Sequence, residues 1–187
     1  MSEIPSKKYF QSKSTETGFI RDPLEKVYRL CNLLKDLPNI PTINKKLALK
    51  GGTAVQLGYF GFKRLSVNVD FNFIGSLDRD EMEADRKEIR TILDDLFREH
   101  GYIHDPPTSH YAEEQFFLYY RNSMGNRDKI KFEINYVDRL PSLPLEKRLL
   151  EHPFELIGDV NVLTYPAEEL FAGKIRACLE RATPRDI

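Results

Sequence analysis

The 187-residue chain predicts an α+β fold, or a mixed α/β one, with helices flanking a small mixed sheet. Three observations predict it. Residues 64–73 alternate apolar and polar side chains without a break. Residues 77–100 repeat apolar side chains at helical spacing. Two runs, 115–120 and 129–137, flank a turn of Asn122-Ser123-Met124-Gly125-Asn126, as a hairpin requires. Apolar residues make up 41% and charged residues 30%, a globular mixture with no disordered bias.

The elements follow in order. Residues 1–22 are polar and irregular in pattern, and read as an extended N-terminal arm. The core is expected over 23–165 and the start of a helical C-terminal region over 166–187. A helix opens at Pro23 with Asp22 as its cap, on the stripe Leu24, Val27, Leu30, Cys31, Leu34 and Leu37; Pro38 and Pro41 end it. Leu47-Ala48-Leu49 leads into Gly51-Gly52-Thr53, and a short helix runs from Ala54 to about Tyr59. In the strand 64–73, Leu65, Val67, Val69, Phe71 and Phe73 point one way, and Ser66, Asn68, Asp70 and Asn72 the other. The helix 77–100 buries Met82, Ile89, Leu93, Leu96 and Phe97, and Gly101 caps its end. On the second hairpin strand, Lys131, Glu133 and Asn135 share the polar face. Val160 to Leu163 is a short strand, and Thr164 caps a last helix through Leu170, Phe171, Ile175, Cys178 and Leu179.

Several function classes drop out. A formal charge of −1 gives no global basic field for coating nucleic acid, though Lys45, Lys46, Lys50, Lys63 and Arg64 cluster near the diglycine turn. No run approaches the roughly 18 apolar residues of a membrane helix. The N-terminus has no apolar h-region, so no secretory signal is expected. The two cysteines, Cys31 and Cys178, lie in helical patterns on apolar faces and read as buried thiols of a reducing, cytoplasmic setting. The four histidines are scattered and have no zinc spacing.

Two segments carry chemistry. Residues two apart in a strand share a face and sit about 6.6 Å apart. An acidic D-x-D pair so placed holds two divalent ions roughly 4 Å apart, the arrangement that serves phosphoryl and nucleotidyl transfer. Here the pair is Asn68-x-Asp70, and Glu133, also on a polar strand face, is the candidate third carboxylate. Alone, such a strand is ordinarily a wet edge. Upstream, Gly51-Gly52 permits close backbone approach, and the N–H groups of the helix that Thr53 begins suit phosphate oxygens, with the Thr53 hydroxyl as a further donor. Alone, Gly-Gly-Thr is a tight turn. In this order, the two describe a nucleoside triphosphate site.

The run Leu49-Lys50-Gly51-Gly52-Thr53-Ala54, followed by Lys63-Arg64-Leu65-Ser66-Val67-Asn68-Val69-Asp70, resembles the AbiEii-type nucleotidyltransferase toxins of type IV toxin–antitoxin systems. These belong to the polymerase-β-like nucleotidyltransferase superfamily. A second block also resembles the family: Glu168 or Glu169, Lys174, Ala177 and Arg181, then Arg185-Asp186. The resemblance spans about residues 18–187. It implies a polymerase-β-like fold and transfer of a nucleotide from an NTP to an RNA acceptor, with tRNA 3′ ends the leading candidate. It implies Mg²⁺ (or Mn²⁺) as cofactor and a cognate antitoxin, of winged-helix type, as partner. By residue, it assigns Gly51, Gly52, Thr53, Arg64, Ser66 and Lys174 to the NTP. Asp70, Glu133 and the residue at 68 fall to metal and catalysis, together with Lys174. Arg181, Arg185 and Asp186 fall to RNA or structure.

Two departures qualify that assignment. The family has aspartate where this chain has Asn68, and an uncharged amide with one oxygen is a poor ligand for a hard cation. Severe loss of metal-dependent catalysis is expected, whether as a disarming replacement or as natural loss leaving a nucleotide-binding, regulatory module. The family pattern also continues past Arg185-Asp186, so the chain reads as shortened at its C-terminal region.

Overall fold

A computed structural model describes residues 4–156 and 158–181, with the side chains of Glu180 and Arg181 left aside. The chain runs α1 Lys7–Thr17, α2 Arg21–Asp36, a 3₁₀ turn Leu37–Asn39, α3 Pro41–Lys46, β1 Leu47–Lys50, α4 Gly51–Gly58, β2 Asn68–Phe73 and α5 Arg79–Glu99. It continues β3 Thr108–Ser109, β4 Glu113–Arg121, β5 Arg127–Asn135, β6 Glu146–Leu149, β7 Asn161–Thr164 and α6 Ala167–Arg181. The strands form one 7-stranded sheet in the order β3-β4-β5-β2-β1-β7-β6. It is mixed: β2 runs parallel to β5 and β1 parallel to β7, and the other pairs are antiparallel.

The core follows the expected periodicities. Leu24, Val27, Leu30, Cys31 and Leu34 of α2 are fully buried, as are Ile89, Leu93 and Phe97 of α5. Val69, Phe71 and Phe73 of β2 turn inward with Phe116 and Phe132. The Phe97 ring sits 5.3 Å from Phe132 and 5.4 Å from Phe116, edge to face, which locks α5 to the central strands. Two buried charge clusters tie the hairpin down. Glu114 is fully buried, with Arg86 and Arg90 of α5 on its carboxylate. The Glu25–Arg29 pair of α2 receives the Ser123 N–H at the hairpin tip and reaches the Arg121 carbonyl.

Several local expectations are corrected. Within the expected arm, residues 7–17 are helical instead of extended: Ser6 and Gly18 cap the helix α1, and Phe10 packs against Tyr28 at 5.4 Å. The acidic strand starts at Asn68, because β1 ends at Lys50, opposite Asp70, and the chain before Asn68 leans back onto α4. Helix α4 starts at Gly51 instead of Ala54. Neither expected cap is one: Asp22 lies within the first turn of α2, and Thr164 belongs to β7, where its buried hydroxyl donates to the Leu49 carbonyl. Cys31 is buried as expected, whereas Cys178 is half-buried. Among the described residues no helix is long and apolar enough to cross a membrane.

Candidate active site

The register of the central strands assembles the site. β1 places Lys50 opposite Asp70, and β2 places Asp70 beside Glu133. β5 in turn pairs Glu133 with Gln115. Direct cross-strand neighbours share a face, so Lys50, Asp70, Glu133 and Gln115 form one row across the sheet. Asn68 lies one step along the same face, exposed and opposite Lys131. This face is turned away from the phenylalanine core.

The diglycine bend closes on that row. Gly51 has a φ of +70°, a conformation that favours glycine, and a Cβ there would lie 2.6 Å from Asp70 Oδ2. A Cβ on Gly52 would lie 2.9 Å from Ser66 Oγ. Both glycines are needed for the first turn of α4 to sit against the acidic strand. The Thr53 side chain is fully buried, with its Oγ1 2.5 Å from the Asn68 carbonyl and 2.9 Å from Ser66 Oγ. Its hydroxyl therefore fastens α4 to the start of β2. The N–H groups of the first turn of α4 have no partner within the helix.

The electrostatics are unusual for an acidic site. Lys131 makes an ion pair with Glu133. Burial pushes the Lys50 ammonium below its ordinary value, against the opposing pull of Asp138, Asp70 and Glu133, and Arg176 adds to the lowering. Arg176, on α6, is 3.4 Å from Asp138. Two carboxylates thus face two ammonium groups. Asn72 departs from its expected wet face: it is buried under Tyr165, to whose hydroxyl its amide donates at 3.0 Å.

The remaining expected residues separate. Ser66 reaches the bend. Arg64 is exposed, and Lys174 is half-buried on α6; neither side chain hydrogen-bonds or ion-pairs with a described residue. Glu169 accepts the backbone N–H groups of Ser142 and Leu143, a structural clamp on the loop after β5. Arg185 and Asp186 lie outside the described residues, as does the side chain of Arg181. Sequence reasoning missed the site roles of Lys50 and Lys131. Lys131 shares its face with Glu133 by simple alternation, so a signal was present. Lys50 enters only through the β1–β2 register.

The same geometry tests the metal. Among the described residues, no group of three or more His, Cys, Asp or Glu could hold an ion. Glu133 is already paired to Lys131, and an amide stands at 68. The residues present do not fit a two-ion centre.

The family model of the AbiEii nucleotidyl transferase toxins, type IV toxin–antitoxin, matches residues 33–187. The chain belongs to that family. Solved structures agree on the fold. JHP933 from Helicobacter pylori superposes with a TM-score of 0.59 at 19% identity, covering 90% of this chain and 64% of that one. MenT4, a nucleotidyltransferase toxin of Mycobacterium tuberculosis, superposes at 0.54 and 18% identity, covering 88% and 56%. The chain thus spans less than two thirds of either protein. No curated protein matches the chain in sequence. In this AbiEii-family chain, the diglycine bend and Asp70 come from the two runs of the first motif block, 49–54 and 63–70, which the fold brings together.

Proposed function

We propose that this site serves nucleotidyl transfer from an NTP to an RNA acceptor, with the 3′ end of tRNA as acceptor, and that Asn68 largely silences it in this chain. One observation carries the reading: Gly51 lies against Asp70, and Asp70 lies beside Glu133. A triphosphate on the first turn of α4 would then have its phosphates next to the carboxylates. The turn's N–H groups bind phosphate oxygens, and Lys50, with Lys174 and Arg64 further out, supplies positive charge. Gly52 lets the phosphates approach the backbone. Ser66 and Thr53 hold the bend in place, and Asp138 with Arg176 closes the cleft from α6.

Metal-dependent chemistry needs a different residue at 68. With aspartate there, Mg²⁺ or Mn²⁺ would find an Asp-x-Asp pair with Glu133 alongside, and Lys131 would gain a carboxylate opposite it. A winged-helix antitoxin and a cytoplasmic setting complete the proposal. The second reading, a nucleotide-binding module that has lost catalysis, is favoured by Asn68 and by the Lys131–Glu133 pair.

The test is a labelled-nucleotide assay with total RNA, all four NTPs and Mg²⁺ or Mn²⁺. The Asn68→Asp protein is expected to label RNA, and the parent chain to do so at least 100-fold more slowly, at about 1.4 kcal/mol per tenfold. Nucleotide binding without transfer by a folded Asn68→Asp protein would favour the second reading. Neither binding nor transfer would defeat both.

A further inference from the structure

The outer face of the β4–β5 hairpin carries a ladder that meets the site above only at Lys131. Phe117 and Tyr119 of β4 face Lys131 and Lys129 of β5 in register. Lys129 Nζ lies 4.2 Å from the centre of the Phe117 ring and 5.9 Å from that of Tyr119. The Arg127 guanidinium lies 4.3 Å from the Tyr119 ring. Both rings are half-exposed, whereas Phe116, Leu118 and Tyr120, which alternate with them, are buried on the core side. Ile103, bridged to Tyr119, is 74% exposed and extends the apolar strip.

Such a ladder has an ordinary explanation, since cross-strand cation–ring pairs stabilise many wet sheet faces. Two features point past it. The cations Arg127, Lys129 and Lys131 recur at every second residue of β5, the spacing that puts them on one face, while the chain as a whole has a net charge of −1. The next residue in that series is Glu133, ion-paired to Lys131 and beside Asp70. The strip therefore runs straight into the candidate active site. Rings interleaved with cations on an open sheet face suit single-stranded nucleic acid: bases stack on the rings and phosphates meet the cations.

We infer that this face seats the single-stranded 3′ end of the RNA acceptor, with Phe117 and Tyr119 as stacking platforms and Arg127 and Lys129 as phosphate contacts. Lys131 sits at the junction, where the strand enters the site. The choice of RNA rests on the nucleotidyl-transfer reading; the stacking surface rests on the ladder alone.

The experiment measures fluorescence anisotropy of a labelled single-stranded RNA 12-mer with the full chain, without metal or NTP and over a range of salt. A blunt duplex of the same sequence serves as comparison. Phe117→Ala and Tyr119→Ala are each expected to weaken single-strand binding about 5- to 150-fold. The exposed pair Arg127→Gln and Lys129→Gln, which leaves the core untouched, is expected to flatten the log–log salt slope by about 1.4. Duplex binding as tight as single-strand binding, or variants that bind like the parent, would overturn the inference. The transfer assay on Asn68→Asp separates the two failures. Transfer without ladder-dependent RNA binding removes this surface alone. Ladder-dependent binding without transfer removes the catalytic reading and leaves the surface standing.

Discussion

Gly51 and Thr53 do their work at the scale of single atoms. At Gly51 any side chain meets two obstacles, the left-handed backbone and Asp70 Oδ2 at 2.6 Å. Gly101, at φ +76° with open space around it, meets only the first. Gly101→Ala is therefore expected to cost about 1–2 kcal/mol and leave nucleotide binding intact. Gly51→Ala is expected to cost more in urea unfolding and to weaken nucleotide binding at least tenfold, because Asp70 must move. Equal effects of the two would argue against the tight Gly51–Asp70 contact. Thr53→Val keeps the shape but leaves the Asn68 carbonyl without its 2.5 Å partner, at about 1–3 kcal/mol. An unchanged urea midpoint would contradict that role.

Among the elements, α5 and the hairpin are joined by a buried charge cluster as well as by rings. Arg86 donates to Ser109 Oγ at 2.6 Å and to the His110 carbonyl at 2.8 Å, while Glu114 is fully buried between Arg86 and Arg90. Glu114→Ala leaves both cations without their carboxylate. It is expected to cost about 3–5 kcal/mol, read as a lowered urea midpoint; a loss under 1 kcal/mol would contradict it. How legible each element was depends on where its signal lies. The β2 alternation and the α2 and α5 stripes are local patterns with a single buried face, so they could be read directly. Helix α1 offered only its caps, Ser6 and Gly18, around a mostly polar segment, and it folds against α2 through Phe10. Strand β6, Glu146–Leu149, is three charged residues and a leucine, with no alternation to read, and β7 defines it. For the site, the bend and Asp70 were legible from spacing. Glu133 was a guess that the parallel β2–β5 register supplies. Lys50 was seen only as part of a basic cluster, and Asp138 not at all, because only the fold brings them near the carboxylates.

For the molecule as a whole, acid sensitivity follows from two half-hidden imidazoles. Burial pushes both His100 and His152 below their ordinary range, in His100 against the opposing pull of Asp36. The neutral forms are thus favoured in the fold, and the unfolded chain binds more protons below about pH 6.5. Their contribution is complete above that pH and is lost as pH falls through the folded values. Urea stability is expected to drop as pH falls below about 6.5, and the His100→Asn, His152→Asn double variant to flatten part of that drop. The same slope in both proteins would contradict it. The account as a whole turns on one shared pocket formed by the bend, Asp70 and Glu133. Its most direct test is calorimetric titration of a non-hydrolysable NTP with Mn²⁺ into Asn68→Asp, and into that protein with Asp70→Asn or Gly51→Ala added. The account predicts saturable, Mn²⁺-dependent binding that either added change weakens at least tenfold. Binding of equal strength in all three proteins would contradict it.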